Sequence, residues 1–202
     1  MIEPLVIGIA GPSGAGKTYL AKRLAETEPG AFAFLALDSY YFPLDHLSEG
    51  DRAAVNFDHP SAIDWELAAA HVGALKSGEA VEQPAYRFEV HTRAAEGVRV
   101  EPRKYVLVEG ILALHEERVR RLMDLKVYVE SVDNECYRRR MERDCRERGR
   151  TPESVERQYR ETVRPMAEAY VWPSRAWADI VVTGTEPVQA AVARITSAIA
   201  GY

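Results

Sequence analysis

Gly11-Pro12-Ser13-Gly14-Ala15-Gly16-Lys17-Thr18 is the stretch on which the reading of this chain turns. Its spacing is a glycine, four further residues, then Gly-Lys-Thr, the pattern of a phosphate-binding P-loop. Glycine lets the backbone curl through conformations closed to other residues. Successive N–H groups then point into one concavity and form an anion site. Lys17 reaches the β and γ phosphates as a point charge, and the Thr18 hydroxyl is a hard oxygen suited to Mg²⁺. The flanks agree. Leu5-Val6-Ile7-Gly8-Ile9-Ala10 is apolar and rich in β-branched residues, as a buried parallel strand should be. Leu20 and Leu24, with Ala21 and Ala25, form the i, i+4 stripe of a helix whose N-terminus adds its dipole to the phosphate site. The competing reading is a glycine-rich turn matching by accident, and the strand before and helix after weigh against it.

Composition bounds the rest. The 202 residues suffice for one large domain, and 47% hydrophobic with 28% charged residues is ordinary for a soluble globular protein. No apolar run is long enough to span a membrane. The first strand begins almost at the N-terminus, leaving no room for a signal peptide, so a cytoplasmic location is expected. Cys136 and Cys145 lie nine residues apart on one expected helix, on roughly opposite sides, and read as free thiols. A net charge of -5 argues against general nucleic-acid binding.

Along the chain, Ala31 to Leu37 is a second apolar run, and it ends on Asp38. Open α/β sheets place ligands beyond the carboxyl ends of their strands, so Asp38 is expected near the phosphates. A simple turn-capping role is the alternative. Ser39 to Pro60 contains few residues able to build a core and reads as a long loop over a site. Ser61 or Asp64 then caps a helix carrying Ile63, Leu67, Ala70 and Leu75 and closed by Gly78. Trp65 is expected to pack on that helix. Residues 81–103 read as a small antiparallel excursion. Tyr105 to Gly110 is a further buried strand ending in an acid, Glu109, the pattern of a second Mg²⁺-site carboxylate opposite the P-loop. A short helix over Glu116 to Met123 and a strand over Leu125 to Val129 follow.

Asp133 to Arg150 is a charged helix running into a loop, with Arg138, Arg139, Arg140, Arg143, Arg146, Arg148 and Arg150. Taken alone it suits a solvated face, since Glu142, Asp144 and Glu147 sit at pairing distances. Beside a P-loop it also suits a lid, because phosphoryl transfer needs cations on the oxygens that gain charge. A helix from Glu153 to about Tyr170, a strand over Asp179 to Val182 and a helix over Pro187 to Ala200 complete the chain. Strands and helices alternate throughout. The expected class is α/β: a P-loop NTPase fold with a parallel sheet covered by helices on both faces, a small antiparallel excursion and a helical lid. A single P-loop domain is expected over residues 1–202, with the excursion at about 81–103 and the lid at about 133–160.

The phosphate site alone does not choose among kinase, switch GTPase and motor ATPase. No Asn-Lys-x-Asp guanine motif is present. Small size, two strand-end acids and an arginine helix favour a small-molecule kinase.

Specific segments carry a resemblance. They are the P-loop, Asp38-Ser39-Tyr40-Tyr41, Asn56-Phe57-Asp58-His59-Pro60, Tyr86 through His91-Thr92-Arg93, Glu109-Gly110-Ile111-Leu112 and Arg139-Arg140-Met141-Glu142-Arg143-Asp144. Arg148-Gly149-Arg150, Gln158-Tyr159, Thr162 to Met166 and Pro173-Ser174-Arg175 follow in order. Together the chain resembles the uridine/cytidine kinases, within the wider phosphoribulokinase/uridine kinase group. The resemblance implies ATP as donor, bound by the loop from Gly11 to Thr18, and transfer of its γ-phosphate to the 5′-hydroxyl of uridine or cytidine. It implies Asp38 as general base near Mg²⁺, with Thr18 and Glu109 on the metal, and Lys17, Arg143 and Arg148 over the phosphates. Asp58 binds ribose hydroxyls, Tyr86 and His91 hold the pyrimidine, and Tyr41, Phe88, Arg140, Arg150 and Gln158 complete the nucleoside site. It also implies a homotetramer. Arg87 departs from the acid usual after the tyrosine, Ala167 replaces a usual His, and Thr183-Gly184-Thr185-Glu186 marks the adenine end only loosely. The rivals are a kinase of another small alcohol, such as ribulose phosphate or pantothenate, and a nucleotide-binding regulator with no phosphoacceptor.

Overall fold

The computed structural model describes residues 3–147 and 149–202. Strands β1 (Leu5–Ala10) and β2 (Phe32–Ala36) are followed by four short ones: β3 (Val81–Gln83), β4 (Tyr86–Arg87), β5 (Thr92–Arg93) and β6 (Val98–Val100). Strands β7 (Tyr105–Glu109), β8 (Leu125–Glu130) and β9 (Ile180–Thr183) complete the set. The main sheet is parallel with order β2-β7-β1-β8-β9. Its strands are apolar along their length because both faces are covered. Val6, Val106 and Val108 face one core, beneath helix α3 (Trp65–Lys76). Ile7, Ile9, Leu107 and Val127 face the other, beneath α1 (Lys17–Ala25) and the C-terminal helix Val188–Ile199.

The register positions the site. Ile9 of β1 and Ala36 of β2 both pair with Glu109 of β7. The carboxyl ends of these three strands therefore stand side by side, and the P-loop, Asp38 and Glu109 leave from one edge.

Local structure departs from expectation in three places. The stretch after Asp38 is not an open loop. It buries Tyr40 and Tyr41 and includes α2 (Glu49–Ala54), whose cap Ser48 accepts from the Asp51 amide at 3.3 Å. In α3 the Asp64 cap starts the helix at Trp65, and the buried stripe is Trp65, Ala68, Val72 and Leu75. Ala70 is exposed and Leu67 only half-buried, because the large indole takes the core position and sets the rotation of the helix. After α4 (Glu117–Arg120) and α5 (Asp133–Glu147), α6 (Pro152–Gln158) runs into wide π turns, Tyr159–Val163 and Ala167–Val171, on either side of α7 (Arg164–Met166). Pro165 explains the break in regularity: it lacks an N–H and crowds the preceding turn. The excursion is two separate antiparallel pairs, β3 with β6 and β4 with β5. Among the described residues no helix is long and apolar enough to cross a membrane.

Candidate active site

The P-loop packs so closely that two of its glycines are obligatory. Gly11 has φ 144°, and a Cβ there would lie 2.3 Å from the Val129 carbonyl oxygen. Gly14 has φ 85°, and its Cβ would lie 2.4 Å from the Cys136 carbonyl oxygen, so α5 rests directly on the loop. Gly14→Ala is expected to combine left-handed strain with overpacking and to cost about 2–4 kcal/mol. Thermal unfolding should show Tm lower by roughly 5–15 °C. An unchanged Tm would mean that α5 and the loop move apart freely.

Helix α1 begins at Lys17, which is buried and donates from Nζ to the Pro12 carbonyl at 3.0 Å. Burial pushes its pKa down, and the Glu109 and Asp38 carboxylates oppose that shift. Thr18 Oγ1 donates to Glu109 Oε1 at 3.0 Å. Burial pushes Glu109 up, Lys17 holds it down, and Asp38 pushes it up again. Two carboxylates and a hydroxyl around one lysine form an oxygen donor set short of positive charge, which suits a hard divalent cation. Among the described residues no group of three or more His, Cys, Asp or Glu side chains forms a closed metal cage.

The β4–β5 hairpin carries the aromatic end. The His91 ring stacks on Phe57 at 5.1 Å and 17°, and Tyr41 meets both Phe57 and Tyr86 edge-on at 5.1 and 5.3 Å. His91 has φ 51°, an uncommon backbone for a non-glycine residue and one that accumulates at functional sites. Burial lowers its pKa, and Arg150 and Arg52 lower it further, so the imidazole is neutral at neutral pH. The Tyr86 phenol is pushed up to about 12, chiefly by burial. Its hydroxyl is buried with no hydrogen-bond partner among the described residues, a state that normally awaits one. The hairpin is tied to the segment after Asp38. Arg93 donates to the Tyr41 and Tyr40 carbonyls at 2.8 and 3.0 Å, and Thr92 Oγ1 donates to Asp45 Oδ1 at 2.6 Å.

Helix α5 sorts its arginines by helical phase. Arg138 and Arg146 are exposed and pair with Glu135, Glu142 and Glu147. Arg140, Arg143 and Arg150 turn inward. Arg140 donates to Ser13 Oγ at 2.9 Å and to Gln158 Oε1 at 2.9 Å, and Arg150 also donates to Gln158 Oε1. Arg139 braces the loop through the Gly14 and Gly184 carbonyls at 3.5 and 3.2 Å. One side of the helix is solvated, and the other lines the cavity. Arg148 lies outside the described residues.

One cavity of about 780 Å³ gathers Ser13, Lys17, Thr18, Asp38 and Glu109 at one end and Tyr41, Asp58, Tyr86, Phe88 and His91 at the other. Arg140, Arg143, Arg150 and Gln158 form its wall. It also takes in Phe57, Glu89, Ile111, Glu147, Ser154 and Arg157, to which sequence reasoning gave no site role. Phe57, Glu89 and Ile111 lie within segments that carry the resemblance; the others had no signal. Arg87 is exposed and does not line the cavity. Gly11 and Gly14 serve the backbone packing, while Ala15 and Gly16 line a second cavity of about 290 Å³ with Tyr19, Arg139, Gly184 and Val188.

The family described as Phosphoribulokinase / Uridine kinase family matches residues 6–191. The uridine kinase of Brevibacillus brevis is 42% identical over 183 residues, covering 90% of this chain and 86% of that protein. The uridine kinase of Halobacterium salinarum is 44% identical over 181 residues, covering 90% and 80% respectively. In fold, the phosphoribulokinase of Rhodobacter spheroides is similar, with a TM-score of 0.66 at 19% identity over 92% of this chain and 74% of that one.

Proposed function

The chain belongs to the phosphoribulokinase/uridine kinase family, and from that premise we propose how it works as an ATP-dependent kinase of uridine or cytidine. The observation that carries the assignment of roles is the single cavity joining a phosphate end to an aromatic end. The P-loop amides and Lys17 hold the triphosphate. Asp38 takes the proton of the nucleoside 5′-hydroxyl as its oxygen bonds to the γ-phosphorus. The bond from that phosphorus to the bridging oxygen breaks, and ADP leaves with the electron pair. Thr18, Glu109 and Asp38 are the groups that would hold Mg²⁺, which supplies charge neutralisation on the phosphates. Arg143, with Arg148, meets the charge that grows on the transferring group. Asp58 accepts from the ribose hydroxyls. The second cavity, apolar at Tyr19 and Val188 and edged by Arg139, suits the base of the donor nucleotide. A homotetramer belongs to the same reading and rests on the family resemblance. The test is nucleoside-dependent ADP release, screened over uridine, cytidine, ribulose phosphate and pantothenate. Release raised by the two pyrimidine nucleosides alone supports the reading; release indifferent to every acceptor favours a regulator.

His91 sets the base preference in this reading. Uracil and cytosine differ at one edge, carbonyl against amine, and a neutral imidazole serves either by changing tautomer. Exposed Arg87 adds no cation there to favour uridine. Leaving the edge unpaired costs about 1–3 kcal/mol, so His91→Ala should lower kcat/KM for both pyrimidines roughly 5- to 150-fold. Adenosine should be a poor acceptor before and after, and intrinsic ATP hydrolysis should not change. Because the His91 pKa lies below the ordinary imidazole value, cytidine KM should be flat above neutrality. It should rise only as the pH falls through that lowered value, when the ring gains a proton and loses the lone pair that accepts from the amine, while uridine, which needs only an N–H, keeps its KM. Equal losses for adenosine, or no loss for either pyrimidine, remove His91 from the base site.

A further inference from the structure

Asp144 has no assigned role, does not line the cavity and has a side chain that is 0% exposed. Around it stand three arginines that do line the cavity. Its Oδ1 accepts from Arg143 Nε at 2.9 Å and lies 2.8 Å from a terminal nitrogen of the same guanidinium. Its Oδ2 lies 3.4 Å from Arg140 Nε and 3.8 Å from an Arg150 terminal nitrogen. The Arg150 amide donates to the Asp144 backbone carbonyl at 3.2 Å, which keeps Arg150 beside the end of α5. Three like charges gathered at one wall repel and would splay toward water. The buried Asp144 carboxylate behind them offsets that repulsion and fixes the plane of the Arg143 fork, leaving net positive charge toward the phosphates.

We propose that Asp144 is the positioning residue of the arginine wall. It acts on phosphoryl transfer through Arg143, which it grips at two points, without touching either substrate. The inference rests on the nucleoside kinase reading, and uridine turnover by the unaltered protein checks that reading separately. Asp144→Asn keeps the shape, removes the charge and turns one acceptor toward guanidinium N–H groups as a donor. Per active site, counted by titration with a bound ATP analogue, kcat should fall about 10- to 100-fold while KM for ATP changes less than about threefold. The loss should not add to that of Arg143→Ala. The double variant should be within about threefold of Arg143→Ala alone, because the route through Arg143 is already gone. A kcat per site equal to the unaltered protein, with only Tm lowered, overturns the proposal in favour of a purely structural acid. A double variant slower than Arg143→Ala by a further factor of about 10 overturns the route through Arg143. If Asp144→Asn does not fold, Arg143→Lys decides, since it keeps the charge and gives up the two-point grip. A kcat loss of at least about 10-fold supports the held fork, and turnover within about twofold overturns it.

Discussion

Asp38→Asn is expected to lower kcat about 10²- to 10⁴-fold, the usual worth of a positioned general base, while ATP binding stays within a few-fold. The residue follows β2 directly, in a 3₁₀ turn over Leu37–Tyr40, and the β2–β7 register brings it beside Glu109. Its charge is felt by both Lys17 and Glu109, and the Tyr41 hydroxyl lies 3.5 Å from its Oδ1. Asparagine keeps the size and one acceptor oxygen but cannot take the 5′-hydroxyl proton. Single-turnover transfer to uridine, measured beside equilibrium binding of an ATP analogue, separates chemistry from binding. A near-normal kcat would remove Asp38 from the base role and leave it as a turn cap.

Arg143→Ala is expected to lower kcat about 10²- to 10³-fold, with a much smaller change in nucleoside KM. The guanidinium is close enough to shift both Lys17 and Glu109, which puts it over the phosphate end of the cavity. Its partner charge is largest in the transition state, so the loss appears in kcat. Arg138→Ala supplies the contrast. That side chain is exposed and paired with Glu135 and Glu142, an arrangement worth a few tenths of a kcal/mol, so turnover should stay within about twofold. Equal, small effects of both substitutions would return the whole arginine run to the solvated surface.

The phosphate end was legible in the sequence because its determinants are local. A P-loop needs particular backbone freedom at fixed spacings, then a lysine and a hydroxyl, and its flanking strand and helix announce themselves by apolar pattern. Asp38 and Glu109 were legible for a related reason: each closes an apolar run, and strand ends in a parallel sheet face the ligand. The base end was marked only through the resemblance carried by Asn56 to Pro60 and Tyr86 to Arg93. The stacking of Phe57 on His91 joins two segments far apart in the chain, and no local pattern announces such a pair.

From its own residues, the sequence determined the strands of the main sheet, that the sheet is parallel, and which short stretch meets phosphate. Local backbone preference and the period of apolar residues suffice for those. The tertiary structure decided which side of α5 meets the cavity, since the period of a charged helix is the same whichever face is docked. Docking on Gly14 and Ser13 turns Arg140 and Arg143 inward and leaves Arg138 and Arg146 in water. It also decided that Asp144 is buried among arginines rather than paired at the surface. Whether a charge is solvated or enclosed depends on what packs around it, and here the guanidiniums of Arg140, Arg143 and Arg150 stand around the carboxylate.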